Sequence, residues 1–250
     1  MRITVVVVLC GFLFVNSFAL AQETNKFKTS LSVGVTLTEG NSKTMQANAS
    51  LVTEGEKTGL GSVRAGIEAN YGETTVVAED DLDGERKDTN VNNAKAFAGA
   101  KKTISPRTFG ALDLSVLTDD IADIRYRVTL GPGLGAYLVK NAKTSLSAEV
   151  GPSYIWEEVG DIRNDYFAVR FAERFEHVLS ATAKIWQSVE YIPKADDFSD
   201  YLLNMEVGIE AAINSHVNLR LVLQDKYDST PGVDLEENDL TLIAGIGVKL

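Results

Sequence analysis

The feature that most constrains this chain is an alternation of apolar and polar residues with period two, sustained almost from end to end. In "FKTSLSVGVTL", Phe27, Thr29, Leu31, Val33, Val35 and Leu37 share one face, and Lys28, Ser30, Ser32, Gly34 and Thr36 share the other. Successive side chains of a strand point to opposite sides, so this is a strand with one apolar face. The pattern recurs over approximate spans 27–37, 44–53, 60–71, 89–101, 107–118, 124–139, 144–156, 166–178, 182–192, 201–213, 217–227 and 240–250. About twelve strands of roughly ten residues follow, the length a tilted strand needs to cross a bilayer.

Alternation alone does not distinguish a soluble barrel from a membrane barrel, because the two exchange their inner and outer faces. Three features favour the membrane. The polar face is built from Ser, Thr, Gly, Asn, Arg and Glu, with few of the lysine-rich stretches of a solvated exterior. Connections after odd strands are acidic and often long ("DDIAD", "EEVGDIRND", "KADDFSD", "DSTPGVDLEEND"), while those after even strands are short and richer in lysine ("EGEKTG", "KKTISPR", "KNAK", "LSA", "NSH"). With both termini in the periplasm, the long loops face outward and the short turns inward. Finally, Tyr71, Tyr154, Trp156, Tyr166, Tyr191, Tyr201 and Tyr227 fall near strand ends that adjoin the long loops, where an aromatic girdle would stand.

The first 21 residues have a different character. Arg2, an apolar run to about Val15 and the trio Ala19-Leu20-Ala21 form a secretory signal peptide, too short for a permanent span. The expected organisation is therefore a leader over 1–21 and an outer-membrane barrel over 22–250. The only cysteine, Cys10, follows Leu9 rather than the small residue a lipidation site wants, and it leaves with the leader, so disulfide and thiol chemistry are excluded. The whole chain carries a net charge of -11, and losing Arg2 makes it more negative still, which disfavours nucleic acid as a partner. The expected partners are outer-membrane lipids, the barrel-assembly machinery, and small ions or solutes.

"YRVTLGPGLGAYLV" invites a phosphate-loop reading, but Tyr126, Val128, Leu130, Pro132, Leu134, Ala136 and Leu138 alternate with Arg127, Thr129, Gly131, Gly133 and Gly135. The glycines lie inside a strand, where they leave lumen space for larger neighbours, and no helix follows to hold a phosphate.

Several blocks, "LTEGNSKTMQANASL", "RYRVTLGPGLGAYL", "AERFEHVLSATAKIWQSVEYIP", "SDYLLNMEVGIEA" and "LVLQDKYDSTPGVDLEENDLTLIAGIGVKL", resemble the YdiY-like family, described as salt-induced outer-membrane proteins of unknown function. The resemblance runs from about Leu31 to Leu250 and implies an outer-membrane β-barrel, with no activity attached. Members usually end in an aromatic residue, whereas this chain ends in Leu250.

No catalytic, cofactor or metal residues are assigned. His177 and His216, the only histidines, lie toward the periplasmic end, away from the outer leaflet where a lipid hydrolase would work. The acidic run beginning at Asp81 has Arg86 and Asn92 where a calcium loop would place glycine and glutamate. The inner face is expected to carry Arg64, Glu68, Lys95, Arg125, Arg127, Glu149, Arg170, Arg174, Glu190, Glu206, Glu210 and Arg220, which either line an aqueous path or pair across it. Glu173 is the misfit, sharing the apolar face with Phe167, Val169, Phe171 and Phe175. A bulge that turns it inward, a protomer contact and a proton site are its alternatives. A porin-like or envelope-adaptation protein, a plugged structural or surface-interaction barrel, and a membrane-embedded lipid hydrolase are the functional readings.

Overall fold

The structure, a computed structural model, describes residues 26–38, 42–57, 61–77, 85–232 and 235–249. The leader, the start of the acidic run over residues 81–84 and the terminal Leu250 lie outside these, while Arg86 and Asn92 of that run belong to a strand. The twelve strands are β1 (Lys26–Thr38), β2 (Ser42–Lys57), β3 (Gly61–Val77), β4 (Glu85–Thr103), β5 (Thr108–Asp119), β6 (Ile124–Lys140), β7 (Thr144–Val159), β8 (Ile162–Val178), β9 (Ala183–Pro193), β10 (Tyr201–Ala212), β11 (Val217–Asp228) and β12 (Asn238–Lys249). Each pairs antiparallel with its neighbours in sequence, and β1 pairs with β12 from Ser30↔Lys249 to Gly34↔Gly245, closing the barrel.

The faces are exchanged relative to a soluble barrel. Leu138 is 61% exposed and Val207 53%, whereas Glu149 is 7% exposed and Asn218 1%. Apolar side chains cover the outside because lipid solvates them, and polar groups turn inward to bond one another. The outer face carries an aromatic belt near the long-loop end, with ring pairs Tyr154–Trp156, Tyr154–Phe167, Phe171–Tyr191, Tyr191–Tyr201 and Tyr201–Tyr227. Tyr166 does not belong to that belt. It alternates with Phe167 and faces inward, packed against the buried Ile155, Ala168 and Ile192.

One acidic "loop", "EEVGDIRND", is in fact strand on both sides of a tight turn. β7 and β8 continue through the acidic stretch to a two-residue turn at Gly160 (φ 55°) and Asp161 (φ 62°), both in the left-handed conformation that suits a tight hairpin. The 120–123 connection is similarly short, so length does not follow strand parity there.

Two register shifts matter. One in the β6–β7 ladder falls between Ile124 and Tyr126. The inserted residue is Arg125, which loses its inward position: its side chain is exposed and pairs with Glu158 at 2.7 Å, alongside Arg163 at 2.8 Å, at the outer rim. The other lies between Gly72 and Glu73, where β3 and β4 pass the belt residue Tyr71. No shift occurs at Glu173, whose partners Ala148 and Val189 sit in regular ladders. The bulge that would turn it inward is absent. Glu173 stays on the outer face and accepts a hydrogen bond from Gln187 Nε2 at 3.1 Å.

A carboxyl group on the lipid face costs energy that Leu would not. Glu173→Leu should therefore stabilise the barrel by ~1 kcal/mol in lipid, read as a raised urea midpoint of refolding in vesicles. An unchanged or lowered midpoint would mean that the Gln187 hydrogen bond already offsets the cost.

Candidate functional site: the barrel lumen

The lumen is built by the inward residues of all twelve strands, and it contains charged groups, aromatic rings and a cavity. Arg170 on β8 is the hub of the charges. Its guanidinium pairs with Glu190 on β9, with Asp113 on β5 at 3.3 Å and with Glu149 on β7 at 3.4 Å, while Lys101 on β4 holds the other oxygen of Glu149. A guanidinium presents five donors in a planar fork, so one arginine can bridge three carboxylates where a lysine could not hold the same geometry.

Toward the long-loop end, Arg127 on β6 bonds Glu157 on β7 at 2.5 Å and Asp228 on β11 at 3.0 Å. β6 and β11 stand on opposing walls, separated by four strands on one side and six on the other, so this ion pair spans the lumen. Asn204 donates to Glu190, and Glu206 accepts from Trp186 Nε1 at 2.6 Å and Gln224 Nε2 at 3.0 Å. In the β9–β10 loop the Asp197 carboxylate accepts from Ser199 N–H and Oγ–H, which holds it below the usual carboxylate range.

Of the other residues expected in the lumen, Arg64, Glu68, Lys95 and Arg174 line the cavity, with Lys95 opposite Glu68 on the neighbouring strand. Arg174 reaches Glu176 at 3.5 Å, and Arg220 lies 3.9 Å from Glu210. Arg125 is the one that the fold places elsewhere.

Three inward aromatic rings were not anticipated as lumen groups, and each lies on a glycine of the adjacent strand. Phe97 covers Gly66, Phe109 covers Gly135 and Trp186 covers Gly208. A Cβ at Gly135 or Gly208 would collide with ring carbons, so these sites accept only glycine without a shift. Gly135 belongs to the run first met as a possible phosphate loop. A cation lies over each ring: Arg64 at 4.6 Å from the Phe97 centroid, Lys101 at 4.7 Å from Phe109 and Arg220 at 5.2 Å from Trp186.

Between these groups runs one cavity of about 780 Å³. Its walls include Glu54, Glu56, Lys101 and Ser145 near the short-turn end, and Ile124, Val159, Asp228 and Pro231 near the long-loop end. Among the described residues there is no cluster of three or more His, Cys, Asp or Glu that could hold a metal. His177 Nδ1 bonds Thr144 Oγ1 and His216 Nδ1 bonds Ser215 Oγ, each at 2.8 Å.

Asp113, Lys101, Glu157, Lys226, Asp228 and Glu176 also line or border the lumen without having been singled out. Their signal was available: Asp113 alternates with Leu112 and Leu114, and Glu157 with Trp156.

Arg170→Ala would leave three carboxylates facing one another without their shared counter-charge. We expect destabilisation of ~3 kcal/mol, measured as a lowered urea midpoint. Gly208→Ala should cost about 2 kcal/mol by forcing the indole of Trp186 off its seat, read as a loss of its fluorescence shift on folding. Unchanged midpoints for both would show that neither the hub nor the seat supports the fold.

No curated protein matches the chain in sequence. Solved structures do match in shape. The NanC porin shares 8% identity at a TM-score of 0.51, the match covering 89% of this chain and 98% of that one. An outer-membrane channel from Pseudomonas putida F1 shares 8% identity at a TM-score of 0.52, covering 92% and 97%. At such identity the likeness speaks to fold, an outer-membrane barrel. The sequence itself matches a family model over residues 31–250, and the chain belongs to that family, described as "Protein of unknown function, DUF481".

Proposed function

We propose that this protein is a passive, porin-like barrel of the outer membrane, passing small ions or solutes and serving envelope adaptation to salt or osmotic stress. The observation that carries the passage is a cavity whose walls include residues from both ends of the barrel. Fixed polar groups around a water-filled path are how a pore both admits and sorts its solutes. The stress role is supported by the resemblance of the sequence blocks to the salt-induced YdiY-like family. Barrel-assembly machinery and outer-membrane lipids are the partners this reading requires.

We propose no catalytic role. His177 and His216 bond a threonine and a neighbouring serine, and among the described residues no carboxylate is seen bonded to either ring, as a nucleophile-activating triad would require.

One observation favours the second reading, a plugged barrel acting as a structural or surface-interaction protein: the Arg127–Asp228 pair crosses the lumen near the long-loop mouth. The two readings diverge on one experiment. Refolded into a planar bilayer, the barrel should give stepwise currents, and Arg127→Ala should raise the unit conductance by removing the crossing pair. Silence from both proteins, with folding verified by heat-shifted gel mobility, would favour the plugged barrel.

A further inference from the structure

A second, smaller space of about 60 Å³ opens off the main cavity, in the wall formed by β1, β2, β3, β10, β11 and β12. Its lining includes Arg64, Arg220, Ser32, Asn48, Ser50 and Glu206. The two spaces share Arg64 and Glu206, so the recess faces the lumen.

Two guanidiniums and two carboxylates line it, and one buried donor there, Arg220 Nε, lacks a partner. Among the described residues no carboxylate lies within ion-pair distance of the Arg64 guanidinium, which lies over the Phe97 ring instead. Arg127 and Arg170, elsewhere in the lumen, are each held by more than one acid. Arg220 donates from one terminal nitrogen to Ser32 Oγ at 2.9 Å, but its buried Nε has no hydrogen-bond partner, Glu210 standing 3.9 Å away. Glu206, one of two acids in the recess, already has a donor on each oxygen, Trp186 and Gln224. Glu68 also borders the space, opposite Lys95. Arg220 Nε, a buried donor without an acceptor in the same recess as a guanidinium that no acid among the described residues holds, calls for a ligand that brings acceptor oxygens.

We propose that this recess is a binding subsite for the carboxylate group of a small solute, held between the Arg64 and Arg220 guanidiniums. The space accepts a group of that size, and the rest of a longer solute would extend into the main cavity. Guanidinium groups suit the planar, two-oxygen geometry of a carboxylate. The inference rests on the lumen being open to solutes, as proposed above.

The test is saturation-transfer NMR on the full barrel refolded in detergent micelles, with sodium acetate and sodium gluconate as probes at constant ionic strength and heat-shifted gel mobility confirming that each variant is folded. Acetate should receive saturation from the unaltered protein, and Arg64→Gln and Arg220→Gln should each weaken its binding about tenfold, the effect of losing a charged hydrogen-bond partner. Lys28→Gln, in the main cavity away from the recess, should leave binding intact. Gluconate binding that is lost in the same two variants would identify a carboxylate carried on a larger solute; binding of acetate alone would identify a free small carboxylate. No transfer to either probe, or equal loss in Lys28→Gln, overturns the proposal and leaves the recess to water. A barrel that binds acetate yet passes no current fails the passage reading alone, and a conducting barrel that binds neither probe fails this one alone.

Discussion

The pairing of β1 with β12 is the constraint on which everything else depends. Lipid offers no hydrogen bonds to backbone N–H and C=O groups, so a sheet inside a bilayer survives only if its two edges meet. Here the register Leu31↔Val248, Val33↔Ile246 and Gly34↔Gly245 joins them. That junction includes two glycines on facing strands. A Cβ on Gly245 would meet the Val33 carbonyl oxygen at 2.7 Å and Gly34 Cα at 3.2 Å, so the close seam itself depends on their lacking side chains. Once closed, the barrel has an inside, and period-two alternation assigns every second residue to it.

What fills that inside is set by charge and shape together. Arg170 gathers three acids from three strands, and Arg127 ties opposing walls, so much of the inner charge is satisfied by partners far away in sequence. The rings on glycine seats take up width that the charged groups do not, and the cations above them gain a second attraction. The lumen is thus neither a plain water column nor a packed core.

The alternation made the fold legible: strand number, order and face follow from residues such as Leu203, Met205 and Val207 against Asn204 and Glu206, and the ladders keep that assignment. What sequence could not show was where the alternation breaks. Arg125 and Arg127 look equivalent in "RYR", yet the register shift beside Ile124 sends the first to the rim and leaves the second inside. Glu173 invited the opposite error, since its chemistry suggested a bulge and the ladder has none. Closeness to a strand end suggests the belt for Tyr166, although alternation with Phe167 points it inward, where it packs. The ion pairs themselves, such as Arg127 with Asp228, link positions whose proximity depends on barrel closure and so leave no local trace.

The central claim is that water occupies the inside of this barrel and lipid its outside, and one labelling experiment tests it most directly. In a Cys10→Ser background, single cysteines at Asn204 and Gln224 on the inner face and at Val207 and Leu221 on the outer face would be exposed to a water-soluble maleimide after reconstitution into vesicles. The account predicts that the two inner positions react and the two outer ones do not. Reaction at Val207 and Leu221, with Asn204 and Gln224 protected, would contradict it.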